Sequence, residues 1–265
     1  MVLTASLLLI YVMEKKDYIL VIPDVHGRTF WEESVKLYGD DAKRVVFLGD
    51  YLDPYPEEFI KSDQAYENFL KIIEFAKSSG KTTLLLGNHD LHYIDGEFTR
   101  STRYNYDFRK IYKKTYKQNK DLFSLAYMEK DILFTHAGVH PDWLRINKFV
   151  LPESNIDTWL NSLDLKYFGQ VGRSRGGYFP VGSPVWADIN EFDYITQDLG
   201  FHQIVGHTRS IVHRGEFFKD EKVTCLDCMG GFFLLYPEEY KIEEKPSRYL
   251  DEYKEVMKNF KERYF

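Results

Sequence analysis

Aspartate, histidine and asparagine recur in this sequence directly after short apolar runs. Leu84-Leu85-Leu86 breaks at Gly87 into Asn88-His89-Asp90. Tyr18-Ile19-Leu20-Val21-Ile22 passes through Pro23 into Asp24-Val25-His26-Gly27-Arg28, and Arg44 to Leu48 runs into Gly49-Asp50-Tyr51-Leu52-Asp53-Pro54. Ile132 to Thr135 leads to His136-Ala137-Gly138, and Phe201 to Val205 leads to Gly206-His207-Thr208. An apolar run ending in a polar turn reads as a buried strand with reactive side chains at its carboxyl end, where open α/β sheets place their ligands. Any one of these residues alone reads as a cap or a satisfied core residue; five matching strand ends point to one metal site. Asp24, His26, Asp50, Asn88, His136 and His207 offer oxygen and nitrogen donors. That set suits Mn, Fe or Zn better than Ca or a thiolate-bound metal. Asp50 is the natural bridge, because a carboxylate can give one oxygen to each of two ions about 3.5 to 4 Å apart, the spacing of hydrolytic two-metal sites.

The elements that must hold these residues follow from pattern. Thr29 stands where it can cap a helix running through Tyr38, with Phe30, Val35 and Leu37 on its apolar side. From Ile60 to Ala76, the residues Ala65, Phe69, Ile72, Ile73 and Ala76 keep helical spacing, and Ser78-Ser79-Gly80 closes the helix. Strands alternating with helices predict a parallel sheet with right-handed crossovers. The stretch Leu91 to Lys130 contains a helix near Tyr104 to Gln118, and its Arg100, Arg103 and Arg109, set among aromatics, could line a substrate groove but read first as a helical cover with a solvated basic face. Trp143 to Asp164 reads as helix and loop, and Gly169 to Gly182 as an aperiodic loop. Gln203 to Val205, Ile211 to Phe218, Val223 to Leu226 and Phe232 to Tyr236 follow one another so closely that antiparallel pairing in a second sheet is expected. Arg248 to Phe265 carries Leu250, Tyr253, Val256, Met257 and Phe260 on one helical side and should pack on the body. With no linker or repeat between these parts, residues 17–265 are expected to form a single α/β domain of two packed mixed β-sheets flanked by helices.

Composition narrows the function class. A 265-residue chain with 44% hydrophobic and 29% charged residues can bury a sizeable core, and 20 Tyr and 20 Phe should fill much of it. A formal net charge of -6 argues against a general duplex nucleic-acid binder. Two cysteines make no disulfide framework, which suggests a reducing compartment and a cytoplasmic location. Ser6 to Met13 is too short to span a bilayer and has no basic residues before it, so residues 1–16 read as an uncertain leader or mis-assigned start, with Met13 as the first residue, and no membrane partner is expected. The sequence assigns no oligomeric state.

The motifs, taken in order, resemble the calcineurin-like metallophosphoesterase superfamily: Asp-x-His-Gly at Asp24 to Gly27, Gly-Asp-x-x-Asp at Gly49 to Asp53, Gly-Asn-His-Asp at Gly87 to Asp90, His-Ala-Gly at His136 to Gly138 and Gly-His at Gly206 to His207. Gly49 to Asp53, Thr135-His136-Ala137-Gly138-Val139-His140-Pro141 and Ser183-Pro184-Val185-Trp186-Ala187-Asp188 are similar to the phosphoprotein phosphatase (serine/threonine phosphatase) branch and its bacterial diadenosine tetraphosphate hydrolase relatives. The resemblance spans Tyr18 to Tyr236 and implies a four-layer α/β/β/α sandwich. It further implies that Asp24, His26 and Asp50 hold one ion and Asp50, Asn88, His136 and His207 a second. His89 would be the general acid, with Asp53 orienting its ring. The implied reaction is hydrolysis of phosphate monoesters by in-line attack of a hydroxide held between the ions, on a phosphorylated protein or a small phosphoester. A dinucleoside polyphosphate hydrolase or a small-molecule phosphatase would share this core. A non-catalytic metal-binding interaction module fits less well, because His89 and Asp53 are both present.

The sequence departs from that pattern in one consequential place. Pro54 stands where phosphoprotein phosphatases carry an arginine that grips phosphate, and a phosphoryl dianion still gains from a forked donor. Arg173, Arg175 and Arg209 are the candidates, with Arg28 behind them. Gly206-His207-Thr208-Arg209 lacks a second histidine two residues after His207, which favours the phosphatase over the nuclease branch. Cys225 and Cys228 would face opposite sides of a strand and read as structural. His92, His140, His202 and His213 receive no role, and Trp186 and Asp188 read as packing the loop before the last ligand strand or, equally, as shaping the site.

Overall fold

Side-chain alternation along three neighbouring strands divides the core into two layers. In the computed structural model, which describes residues 17–95, 98–193, 197–209, 222–227, 230–245 and 247–248, β1 (Ile19–Ile22), β2 (Arg44–Phe47) and β3 (Thr82–Leu85) pair in parallel. Successive residues of a strand point to opposite faces. Leu20, Ile22, Val45, Phe47 and Leu84 therefore meet Trp31, Phe69, Ile72 and Ile73 on one side. Ile19, Val21, Val46, Leu48 and Leu85 turn to the other side, where Ile132, Phe134 and Ile204 of a second sheet interlock with them. The crossovers are α1 (Phe30–Ser34), continued by a π-helical turn at Val35–Gly39, and α2 (Ser62–Ser79), which ends at left-handed Gly80. Thr29 precedes α1 but makes no side-chain capping hydrogen bond.

Beyond β3 come α3 (Asn88–Ile94), α4 (Arg109–Gln118), β4 (Phe123–Ser124), β5 (Ala126–Glu129), β6 (Ile132–Thr135), α5 (Pro141–Ile146), α6 (Ile156–Ser162), β7 (His202–Val205), β8 (Val223–Cys225), β9 (Phe232–Tyr236) and β10 (Lys241–Lys245). One sheet has the order β10-β9-β1-β2-β3-β4 and the other β5-β6-β7-β8. Trp143, Leu144, Ile156 and Leu160 cover the outer face of the smaller sheet, completing the four-layer sandwich. Among the described residues no helix is long and apolar enough to cross a membrane.

Two expectations need correction. The closely spaced strands after Gln203 do not pair antiparallel in a second sheet. β7 runs parallel to β6 and to β8, and β9 joins the larger sheet, antiparallel to β1 and β10. The connection from Val205 to Val223 exceeds the dozen or so residues a parallel crossover needs. β9 is buried on both faces, with Phe233 and Leu235 between the sheets and Phe232 and Leu234 in the outer layer, so it fills an interior position. The helix expected from Tyr104 begins only at Arg109, because Asn105 Oδ1 accepts from the amides of Asp107 and Phe108 and closes a turn first. The leader, the strand at Ile211 to Phe218, Cys228, His213 and the helix expected beyond Arg248 lie outside the described residues.

Candidate active site

Each strand end turns sharply just where a polar residue follows. His26, Asp50, Asp53 and His207 have left-handed backbones, with φ of 45, 52, 58 and 66°. Such conformations are costly for non-glycine residues and persist where the surroundings over-determine them. One surrounding group is Asp90, whose Oδ2 accepts from the amides of Asp50 (2.8 Å) and Gly87 (2.7 Å) while its Oδ1 accepts from the Tyr51 amide and the Tyr116 hydroxyl. This buried carboxylate clips the turn after β2 to the turn after β3. The turns also need small residues: a Cβ on Gly87 would stand 2.1 Å from Asp50 Oδ1, and one on Gly206 would stand 2.0 Å from Asp24 Oδ1.

The result is two buried triads, Asp24-His26-Asp50 and Asp50-His136-His207, which share Asp50. His26 Nδ1 lies 2.9 Å from the Leu52 carbonyl and His136 Nδ1 lies 2.8 Å from the Leu48 carbonyl. A carbonyl can only accept, so each Nδ1 carries the ring proton and each Nε2 turns a lone pair inward. Asp50 Oδ1 accepts from the His89 amide at 2.9 Å, leaving Oδ2 at 3.5 Å from both His26 Nε2 and His136 Nε2. One oxygen of Asp50, rather than one on each side, therefore faces both triads. Asn88 Oδ1 and His207 Nδ1 each lie 3.1 Å from His136 Nε2, and Asp24 accepts from the His207 amide.

Acceptors converging on acceptors in a buried space repel one another unless cations lie among them. Burial, reinforced by the Asp227 carboxylate, pushes Asp24 well above the usual carboxylate range. Burial and then Asp90 push Asp50 the same way. Burial holds the His26 and His207 rings well below the usual histidine value, helped by Arg103 and Arg175 respectively. These donors thus fit a dinuclear metal site: neutral imidazoles present lone pairs to the same buried space as two carboxylates.

Beside the triads, Asp53 joins a second cluster. His89 Nδ1 and His92 Nε2 each lie 2.9 Å from Asp53 Oδ2, the latter off the line of an ideal hydrogen bond, and the Tyr93 hydroxyl donates to Oδ1 at 2.5 Å. Ser101 Oγ lies within 2.9 Å of His89 Nδ1 and 3.0 Å of His92 Nδ1. Burial pushes Asp53 up, but the bonds from His89 and His92 outweigh it and hold the carboxyl below its usual value. Burial brings His89 down to about 4 against the pull of Asp53, so the ring is neutral near pH 7. The spacing of His92 and Tyr93, three and four residues after His89 on α3, is the signal that could have identified them, since such positions share a helix face.

His26, Asp50, Asn88, His89 and His207 open into a cavity of about 540 Å³. Of the expected arginines, Arg175 lines it, with Nε 2.8 Å from Asp188 Oδ2 and Nη2 donating to Thr208 Oγ1. Arg173 is exposed and Arg209 pairs with Glu57 at 2.8 Å; neither is among the lining residues. Arg28 is buried against Glu58. Arg103, for which a solvated face is the first reading from sequence and a substrate groove the alternative, enters the cavity: its Nη2 lies 3.3 Å from His26 Nε2 and 3.4 Å from His89 Nε2. Trp186 packs edge-on to His207, and His140 accepts from the Asp142 amide at the start of α5. Cys225 is buried with its thiol pushed up to about 12 by burial, which leaves it unreactive.

Comparison with known proteins agrees with this arrangement. No curated protein sequence matches the chain. Among solved structures, a cold-active protein tyrosine phosphatase determined at 1.1 Å aligns with a TM-score of 0.54 at 20% identity, over 89% of this chain and 80% of that one. The cold-active protein-tyrosine phosphatase of a psychrophilic Shewanella sp. aligns with a TM-score of 0.53 at 19% identity, over 86% and 80%. At these identities the likeness is one of fold. Residues 18–209 match the family of calcineurin-like phosphoesterases. That segment covers well over half of the chain and contains every residue of both triads, so the chain belongs to the calcineurin-like phosphoesterase family and is a metal-dependent phosphoric ester hydrolase.

Proposed function

We propose that the protein is a phosphomonoesterase of the phosphoprotein phosphatase type, acting on phosphorylated protein side chains. One observation carries this reading: the two triads joined at Asp50 and the Asp53-bound His89 present members, His26, Asp50, His207 and His89, to the same cavity. In this reading Asp24, His26 and Asp50 hold one ion and Asp50, Asn88, His136 and His207 the other, with Mn, Fe or Zn suited to the donors. Two bound cations would supply charge neutralisation and an activated water at neutral pH. The chain's own residues supply the rest. His89 donates a proton to the leaving oxygen, and Asp53 fixes its ring by accepting from Nδ1, so that Nε2 is the atom facing the substrate. Because His89 is neutral in the free site, it takes up that proton as the phosphoester binds, and the incoming negative charge favours the uptake. Arg175 also lines the cavity and is one candidate contact for the phosphoryl oxygens.

The cavity rim supports a large substrate. Tyr178, 95% exposed, and Phe179 stand at the mouth on a turn whose backbone is fixed by bonds between Arg173 and Phe179 and between Phe179 and Val171. Exposed aromatic rings on a braced turn can contact a polypeptide extending out of the cavity.

The test is a comparison of phosphopeptides, p-nitrophenyl phosphate, diadenosine tetraphosphate and mononucleotides on protein loaded with Mn²⁺ and on protein treated with chelator. Turnover of phosphopeptides that chelation abolishes and Mn²⁺ restores is the expected result. Faster cleavage of diadenosine tetraphosphate would assign the site to dinucleoside polyphosphates. Full turnover without metal would overturn the reading altogether.

A further inference from the structure

We propose that Arg103 grips the substrate's phosphoryl group, supplying from the loop between α3 and α4 the donor that Pro54 cannot provide. This inference rests on the phosphomonoesterase reading and names the residue through which the site holds its anion.

Arg100, Arg103 and Arg175 line the cavity and Arg28 and Arg209 lie beside its Tyr55; their charges are spent differently, Arg100 lying over the rings of Tyr104 and Tyr106 at 5.1 and 5.6 Å. Arg28, Arg175 and Arg209 stand 2.9, 2.8 and 2.8 Å from the carboxylates of Glu58, Asp188 and Glu57. Arg103 pairs with no carboxylate among the described residues. Its Nε donates to the Asp53 carbonyl at 2.9 Å, and its guanidinium carbon lies 3.7 Å from the centre of the Tyr55 ring. A backbone tether at one nitrogen and a stacked face fix the plane of the group, so little side-chain freedom remains to be lost on binding. Nη2 reaches between His26 Nε2 and His89 Nε2, one a metal-ligand atom and the other the proposed proton donor. A phosphoryl group bound at the triads and within reach of His89 would therefore meet the Nη edge of Arg103.

The fork is also well placed electrostatically. Arg103 is only partly exposed, and a cation shielded from solvent attracts a dianion more strongly than one in bulk water. Arg103 does have a plain structural use, since it ties the segment after α3 to Asp53. That role would show in folding and in His89 orientation, but it would not require inorganic phosphate to bind more weakly.

The experiment uses the full chain loaded with Mn²⁺. Inorganic phosphate binding is measured by titration calorimetry for wild type, Arg103→Ala and Arg103→Lys, alongside metal content, thermal midpoint, and KM and kcat for p-nitrophenyl phosphate. Losing a charge-assisted pair should weaken phosphate binding by about 10- to 100-fold in Arg103→Ala. Metal content should stay at the wild-type level. Arg103→Lys should recover part of the affinity, because a point charge does not reproduce the planar fork. Wild-type phosphate affinity in either variant overturns the inference, as does a loss that merely tracks lost metal. If Arg103→Ala fails to fold, Arg103→Lys alone decides: unchanged affinity refutes the grip and a reduced one supports it. If wild type hydrolyses no phosphomonoester yet binds phosphate through Arg103, the functional reading fails and the grip stands.

Discussion

Asp53 Oδ2 and His92 Nε2 lie 2.9 Å apart, on the same carboxylate oxygen that receives His89 Nδ1 at 2.9 Å. One oxygen thus serves two imidazoles, while the other accepts from the Tyr93 hydroxyl. The Ser101 amide points at His92 Nδ1 at 3.3 Å, which makes that nitrogen an acceptor and places the ring proton on Nε2, toward Asp53. His92 therefore holds Asp53 in place without itself opening into the cavity.

Replacing Asp53 by Asn should leave metal content unchanged and lower kcat by about 10²- to 10⁴-fold, because the amide can present its NH₂ and force the wrong His89 tautomer. The same substitution has a signature in acid. Asp53 titrates below its usual value in the folded protein, so its network adds stability above the unfolded pKa near 3.9 and loses it as pH falls through the folded value. Urea unfolding should show a gap between wild type and Asp53→Asn that is constant from about pH 8 to pH 5 and closes below about pH 4. A gap that persists at the acid end would mean Asp53 acts by packing alone.

His89→Asn should retain both metals and slow hydrolysis of an alkyl phosphate by about 10²- to 10⁴-fold. The loss should shrink for p-nitrophenyl phosphate, whose leaving group needs no proton. Equal losses on the two substrates would remove His89 from the proton-donor role.

Gly87→Ala tests the close approach that builds the shared vertex. The new Cβ would stand 2.1 Å from Asp50 Oδ1 and 2.8 Å from His136 Cε1, so the turn or both ligands must move. Overpacking of this kind costs about 1 to 3 kcal/mol. The expected outcome is a protein that keeps its far-ultraviolet circular dichroism, unfolds at lower urea and binds less Mn²⁺ by calorimetry. Undiminished metal binding would show that Asp50 is not held by this contact.

Much of the site was legible because its ligands follow strands whose apolar runs are visible in the chain. Asp24, Asp50, Asn88, His136 and His207 each come within three residues of a strand end, so local pattern fixes their place in space. Arg103, His92 and Ser101 are different. They approach the centre from α3 and the loop after it, which the packing of Tyr93, Tyr104 and Tyr112 and the hydrogen bonds of Arg103 to Asp53 and of Asn105 to Tyr93 and Ser62 hold inward. A sequence window sees alternating basic and aromatic residues there, the same composition as a solvated face. The strand topology was misread for a related reason. Short strands carry no mark of their partner, and β8 and β9 are both buried yet join different sheets.

The last prediction concerns Arg28, which sequence reasoning kept as a reserve phosphate donor. Arg28 is 1% exposed, with Nε and Nη2 bonded to Glu58 and Nη1 donating to the Asp24 carbonyl at 3.1 Å. Its own carbonyl accepts from Asn68, which also accepts from the Trp31 indole, so the residue pins the turn after β1 to α2. Arg28→Met keeps most of the side-chain volume and removes the charge, leaving the Glu58 carboxylate buried and unpaired. Breaking one side of a buried pair costs about 3 to 5 kcal/mol. Adding Glu58→Leu should return a large part of that loss, since two apolar groups of similar size can replace a buried ion pair. The double variant should also bind inorganic phosphate as wild type does, because the guanidinium is already neutralised by Glu58. Chemical denaturation of the single and double variants checks the first two statements and titration calorimetry the third. A double variant no more stable than Arg28→Met would show that the contact to the Asp24 carbonyl, not the ion pair, secures the turn.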